Sequence, residues 1–147
     1  MALKIGGQIM QGLLGNMSEI TPDALEKEFG AYLMDGEIIQ TGFKLVRDAM
    51  IITDKRILEF DKQGATGQKM RVNSIYLNSI YNVTAETAGF GMDDSELEIF
   101  YISTPYLKAH GIGYASKKFE FPKKYNIQKL YKMLQELAYE NFVNMNK

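Results

Sequence analysis

The stretch Thr53-Asp54-Lys55-Arg56-Ile57-Leu58 places a tight turn between two apolar runs, and the rest of the fold can be predicted outward from it. Asp54-Lys55 predicts the turn itself. The side-chain oxygens of Thr53 and Asp54 are expected to accept hydrogen bonds from nearby turn amides. The run before the turn, 49–53, and the run after it, 56–60, are each predicted as short strands, which would pair in an antiparallel sheet.

Further strand-like runs lie on both sides of this hairpin. Residues 37–46 alternate with a period of two, and Arg47-Asp48 marks the turn after them. Downstream of a glycine-containing loop, four more runs are predicted as strands, at 69–74, 80–87, 96–102 and 117–121. Short strands with tight turns favour an antiparallel sheet or barrel over β-α-β units. The stretch 103–115 contains Pro105 and is predicted as either a long hairpin loop or an irregular strand.

Helical patterns occupy both ends of the chain. A helix is predicted to begin at Thr21, which can cap it, with Pro22 at the first helical position. A final helix of about 17 residues is predicted after Asn126, long enough to cover one side of a small barrel. Its predicted apolar stripe consists of Ile127, Leu130, Tyr131, Leu134, Leu137, Ala138 and Phe142.

The first seventeen residues combine helical spacing with four glycines. No run approaches the roughly 18 apolar residues that span a membrane. We interpret the segment as a weak helix that packs on its own domain or on a neighbouring subunit. The alternative is an interfacial membrane helix, but such helices usually carry a basic face, and only Lys4 is present here.

Several separated motifs resemble those of the bacterial pleckstrin homology (PH) domain family. They are Thr53 to Leu58, Asp61 to Lys69, Ser74-Ile75-Tyr76, Ser79-Ile80 and Asp94-Ser95-Glu96-Leu97. Family members often have a proline between the isoleucine and the tyrosine of the third motif, whereas Tyr76 follows Ile75 directly here. The resemblance covers about Leu25 to Phe142.

This resemblance implies an α+β fold that is mainly β: a seven-stranded antiparallel barrel capped by the C-terminal helix, with extra N-terminal helices. We divide the chain into an N-terminal helical extension at 1–20 and a PH-like domain at 21–147. The resemblance also implies a tendency to assemble into rings. It implies no established enzymatic activity and no established ligand.

Composition narrows the function classes. The chain has 147 residues, which fits one domain, and it has no cysteine and one histidine. Disulfides, thiolate metal sites and sites that need two imidazoles are excluded. A net charge of −1 argues against a nucleic-acid partner. His110 is predicted as an exposed loop residue, and no catalytic residue, cofactor or metal is expected.

Two groups of basic residues were considered as weak anion-binding candidates. Lys44 and Arg47 flank the first hairpin turn, but Asp48 lies directly beside them, and an inositol phosphate would need more positive charge. Lys55 and Arg56 form the other pair. For these two residues the favoured interpretation is a solvated turn.

Charge is unevenly distributed along the chain. Segment 117–132 has six lysines and one glutamate, a net of +5, and segment 86–98 has five carboxylates and no cation, a net of −5. The acidic residues do not have EF-hand spacing, so a metal site is not favoured. The two segments are either solvated faces or patches that meet between copies of the chain. The lysines could instead dock on anionic lipid.

The sequence thus predicts a non-catalytic binding or assembly module, cytoplasmic and homo-oligomeric through head-to-tail contacts. The alternative is a peripheral membrane module that uses the lysines and the N-terminal apolar segment. The interface candidates are Ile9, Leu13, Leu14, Asp93, Asp94, Glu96, Glu98, Lys117, Lys118, Lys123 and Lys124.

Overall fold

The computed structural model describes residues 20–45, 48–63, 69–89, 94–104 and 111–147, with Gln63 described by its backbone only. These ranges form seven strands: β1 (Ile39–Lys44), β2 (Asp48–Thr53), β3 (Arg56–Gln63), β4 (Lys69–Tyr76), β5 (Ile80–Glu86), β6 (Ser95–Ile102) and β7 (Tyr114–Phe121). They also form two α-helices: α1 (Pro22–Phe29) and α2 (Ile127–Met145). Short 3-10 turns follow α1 and β4, at Gly30–Tyr32 and Leu77–Ser79.

The strands form two antiparallel sheets, ordered β1-β2-β3-β4 and β5-β6-β7. Strands adjacent in sequence are adjacent in space, as short connections require. Among the described strands no hydrogen-bonded pairing joins the two sheets, so the predicted closure into one barrel is not confirmed. Side chains bridge the seam between them: the rings of Phe43 on β1 and Phe121 on β7 lie 5.6 Å apart.

The inner core fills the space between the two sheets and α2. Its largest fully buried side chains include Phe43, Met50, Ile52, Ile57, Leu77, Phe119 and Phe121. The helix contributes a continuous stripe of Ile127, Leu130, Met133, Leu134, Leu137 and Ala138. The predicted closing helix is therefore confirmed, and it completes this core by lying along β5.

A second, smaller core lies on the outer face of the first sheet, under α1. Leu25 and Phe29 of α1 pack there with buried residues of β1, β2 and β3. The helix begins as predicted: the Thr21 hydroxyl accepts a hydrogen bond from the Ala24 amide, and Pro22 follows the cap. A Cβ at Gly42 would lie 2.8 Å from Leu25 Cδ2, so glycine at this position lets α1 approach the sheet.

The end of α2 corrects one sequence prediction. Phe142 was placed on the buried stripe, but it is 58% exposed. Asn141 is buried instead, and its side-chain amide donates to the carbonyls of Leu77 and Ile80. An i+3 or i+4 step from Leu137 or Ala138 leads to either residue, and of these two side chains only that of asparagine can donate to the carbonyls.

The remaining predictions for the chain ends and loops are resolved in part. Tyr114 and Ala115 belong to β7, so the end of the ambiguous 103–115 stretch is strand, and the Ser103 amide donates to the Gly113 carbonyl. Residues 105–110, including His110, lie outside the described residues. The helix predicted in the 1–20 extension also falls outside them, apart from Ile20, and the division of the chain at residue 20 stays a prediction.

Candidate functional site

The β2–β3 turn is organised by Thr53. Its hydroxyl accepts hydrogen bonds from the amides of Lys55 and Arg56, as the sequence predicted for this position. Asp54 acts further away: its carboxylate accepts from the Ile38 amide, which precedes β1. The turn motif therefore fixes the turn and also ties it to the segment between α1 and β1.

Arg56 is engaged within the chain. Its guanidinium lies 2.9 Å from the Glu37 carboxylate and also donates to Ser74 Oγ and to the Tyr32 carbonyl. The side chain of Glu37 is fully buried and that of Arg56 is 12% exposed. Burial alone would raise the pKa of Glu37, but hydrogen bonds from Arg56, Thr53 and the Met34 amide outweigh it and hold the pKa below its ordinary value.

These contacts change the interpretation of Lys55 and Arg56. The sequence predicts a solvated turn for both residues, but the side chain of Arg56 is only 12% exposed. Its three guanidinium nitrogens already donate to protein acceptors, which leaves little capacity for an external anion. Lys55 is exposed and stays an anion-binding prediction on its own.

The other predicted anion site contains both signs of charge. Lys44, at the end of β1, lies 3.7 Å from the Glu28 carboxylate of α1, and both side chains are largely exposed. Arg47 lies outside the described residues. Asp48 opens β2 directly across this hairpin. The described residues therefore provide no cluster of free cations at this turn.

A second network of charges crosses the seam between the sheets. Lys117 of β7 lies 2.7 Å from Glu59 Oε2 of β3, and Asn73 donates to the other oxygen of Glu59. Asp48 and Asp61 are paired in register beside them. Burial, with the charges of Glu59 and Asp61, raises the pKa of Asp48 to about 6. The hydrogen bond to Glu59 raises the pKa of Lys117. Three carboxylates lie near one lysine here, so the net charge is negative and would repel a phosphate.

The predicted acidic and basic patches are neighbours within one chain. β6 and β7 pair so that Glu98 faces Lys118 and Glu96 faces Glu120. The Lys118 ammonium lies 3.4 Å from the Glu96 carboxylate, and Ser116 donates to Glu98. One lysine of the basic segment, Lys118, is therefore paired with the acidic segment within the same chain, whereas Lys123, Lys129 and Lys132 are exposed. Whether these residues also contact another copy stays a prediction.

The other interface candidates are distributed as follows. Asp94 is exposed just before β6, and Lys123 and Lys124 are exposed between β7 and α2. The Lys124 ammonium lies 5.3 Å from the centre of the Tyr125 ring. Ile9, Leu13, Leu14 and Asp93 lie outside the described residues.

An apolar groove lies between the end of β5 and the first half of α2, and no pattern in the sequence predicts it. Its volume is about 410 Å³. The strand side is formed by Ala85 and Thr87, and the helix side by Ile127, Gln128, Tyr131, Lys132, Gln135 and Glu136. β5 pairs with β6 on one side only, and within the described ranges no strand pairs with its other edge. We call this surface the β5–α2 groove.

The far end of α2 carries exposed aromatic and aliphatic side chains. Tyr139 is 66% exposed, Phe142 58% and Val143 39%. These three residues, which we call the aromatic end, share one side of the helix, since they are three or four positions apart. The signal in the sequence was the polar Asn141, which takes the buried position and turns Phe142 outward.

Neither a metal site nor a membrane-spanning helix is found in the described ranges. No group of three or more histidine, aspartate or glutamate side chains there has the arrangement to hold a metal ion. No described helix is long and apolar enough to cross a membrane.

Comparison with known proteins identifies the family. The family model for the bacterial PH domain matches residues 8–138. The uncharacterized protein YjqA of Bacillus subtilis (strain 168) is 43% identical over 122 residues, which cover 82% of this chain and 93% of that protein.

Solved structures agree with this match. The PH domain of Shewanella amazonensis SB2B has a TM-score of 0.60 at 32% identity, with 84% of this chain and 92% of that chain covered. A PH-domain protein of Shewanella loihica PV-4 has a TM-score of 0.61 at 26% identity, with 82% and 96% covered. The two sheets, the closing helix and the sequence match together place this chain in the bacterial PH-domain family.

Proposed function

We propose that this chain is a non-catalytic PH-type module that assembles with copies of itself through head-to-tail contacts, which close into a ring. The observation that carries the proposal is the aromatic end of α2. Large apolar side chains grouped on a surface mark interaction sites, because their exposure to water is otherwise unfavourable. Tyr139 and Phe142 are both more than half exposed, and aromatic residues are enriched at the centres of protein interfaces.

Head-to-tail geometry is favoured because the chain has two apolar surfaces of different shape. The aromatic end projects from α2, whereas the β5–α2 groove is concave. When each copy gives its aromatic end to one neighbour and receives that of another, the contact is heterologous, and such contacts generate rings when the rotation closes. A symmetric dimer would instead pair the same two surfaces reciprocally and would contain two chains only.

The proposal is tested by the solution mass of the intact chain. Size-exclusion chromatography with light scattering, over a series of protein and salt concentrations, should give the mass of at least three chains of 16.7 kDa each, since two chains would indicate a symmetric dimer. A strictly monomeric species at every concentration would contradict it. A chain lacking residues 1–15 should assemble with the same number of copies if α2 provides the contact. Loss of assembly would instead assign the interface to the N-terminal candidates Ile9, Leu13 and Leu14.

A peripheral membrane module is the second candidate, supported by the exposed lysines at the start of α2. Lys123, Lys129 and Lys132 are exposed there, and each could contribute about 1 kcal/mol on an anionic surface. The glutamates on β6 and β7 weaken this interpretation, since they lie beside Lys118. Sedimentation with phosphatidylserine liposomes distinguishes the two: binding would support the membrane role, and its absence would remove it.

A further inference from the structure

We infer that the β5–α2 groove of one copy receives the aromatic end of α2 from the next copy. This inference rests on the proposed self-assembly and specifies its contact. The molecule that occupies the groove is a second copy of this chain. Size, position along the helix and charge each support that choice.

The size of the groove suits two aromatic rings. A cavity of about 150 Å³ holds one benzene molecule, and the groove measures about 410 Å³. Tyr139 and Phe142 are three positions apart on a helix, so their rings project together from neighbouring turns. The groove walls include apolar Ala85 and Ile127 and the ring of Tyr131, against which aromatic rings pack favourably.

A chain cannot fill its own groove with its own aromatic end. Tyr131, in the groove wall, and Phe142 are eleven residues apart on one straight helix. At 1.5 Å per residue this places them roughly 16 Å apart along the axis. The aromatic end therefore needs a groove on another molecule.

The charges along α2 complement the same contact. Lys129 and Lys132 lie in the first half of the helix, and Glu136 and Glu140 follow in the second half. The helix dipole favours acidic residues in the first turn and basic residues in the last turn. In α2 the first turn has no acidic residue and the last turn has no basic one. Docking would bring Glu140 of one copy towards Lys132 of the next. Complementary charge of this kind fixes the orientation of two partners.

Two substitutions test the contact in the full-length chain, each with a matched control. Phe142→Asp puts a charge on the aromatic end, and Asn144→Asp puts the same charge on an exposed position of the same turn. Ala85→Arg fills the groove. Its control, Thr84→Arg, places arginine on the opposite face of β5, where the paired residue is Glu98. All four positions are exposed, so thermal unfolding midpoints should stay close to wild type.

We expect Phe142→Asp and Ala85→Arg each to reduce the assembly to single chains of 16.7 kDa, while both controls keep the wild-type mass. If the wild type assembles and either test variant assembles equally well, this contact is wrong, although self-assembly itself stands. If the wild type is monomeric throughout, the proposed function fails as well. Loss of assembly in the controls would also overturn the contact, because it would show that the surfaces are not specific.

Discussion

The outer face of the first sheet and the aromatic end of α2 are both apolar, but of the two only the first is covered by other residues that the structure describes. Over the sheet, α1 buries Leu25 and Phe29 against β1, β2 and β3. On α2, Tyr139 and Phe142 remain more than half exposed. The first surface therefore contributes to the stability of the fold. The second contributes little to it, and since no described part of the chain buries it, we expect another molecule to do so.

Charged side chains near the covered region also stabilise the fold. Glu37 and Arg56 form a nearly buried pair that links the segment after α1 to the β2–β3 turn. The outward side of α2 has Lys132 exposed in the first half of the helix and Glu140 exposed in the second half. Substitutions in the covered region should accordingly change stability, and substitutions on α2 should change association.

The largest expected effect is at the buried ion pair. Arg56→Ala leaves the Glu37 carboxylate buried without its cation, which should lower the free energy of unfolding by about 3–5 kcal/mol. Chemical denaturation measures this. Lys55→Ala, at the exposed neighbouring position, is the control and should stay within about 0.5 kcal/mol. Equal values for the two variants would show that Arg56 does not stabilise the fold by holding the segment between α1 and β1.

The next effect concerns the cover itself. Leu25 is fully buried, so Leu25→Ala should cost about 2–5 kcal/mol through lost burial and the cavity left under α1. Phe142→Ala should cost no more than about 0.5 kcal/mol, as an exposed position does. Denaturation of both variants under the same conditions tests the contrast directly. A cost at Phe142 as large as that at Leu25 would mean that α2 needs this residue for folding.

A smaller effect should depend on pH. The folded-state pKa of Asp48 is raised from 3.8 to about 6, so its ionisation destabilises the fold. This cost is absent below pH 3.8, grows as pH rises, and is complete above pH 6. Asp48 faces Glu59 and Asp61, with Lys117 as the nearby cation. Asp48→Asn should therefore stabilise the protein near pH 7, by about 1 kcal/mol once solvent screening is allowed for.

Denaturation at pH 4 and pH 7 checks this, since the gain should nearly vanish at the lower value. Glu37 has the opposite sign: its pKa is lowered, so its contribution is present above 4.5 and is lost in more acidic solution. A gain from Asp48→Asn that is equal at both pH values would show that it does not come from burying the ionised Asp48 carboxylate beside Glu59 and Asp61.

Local patterns in the sequence predicted most of the fold. The Thr21 and Asn126 caps, the turn at Asp54-Lys55 and the order of seven strands all follow from signals that act within a few residues. Contacts between distant residues were not predictable in this way. Arg56 pairs with Glu37, 19 positions earlier, and Glu59 is reached by Lys117 from the other sheet. Both acids are buried against the usual tendency of charged residues to be exposed.

The candidate site was predicted least well, for a physical reason. Periodicity shows that one side of a helix is apolar but does not show what covers it. At the end of α2, Asn141 takes the buried position, where its side-chain amide donates to the carbonyls of Leu77 and Ile80. The groove depends on where β5 ends relative to α2, which no local pattern specifies. The charge imbalance along the sequence was real, but antiparallel pairing of β6 and β7 placed opposite charges side by side.

Mixing the two interface variants tests the contact between the aromatic end and the groove most directly. The Phe142→Asp chain keeps an intact groove, and the Ala85→Arg chain keeps an intact aromatic end. Each variant alone should have the mass of one chain, 16.7 kDa, and an equimolar mixture should form a species of twice that mass with one chain of each kind. A mixture that stays at the mass of one chain, while the wild type assembles, would contradict the account.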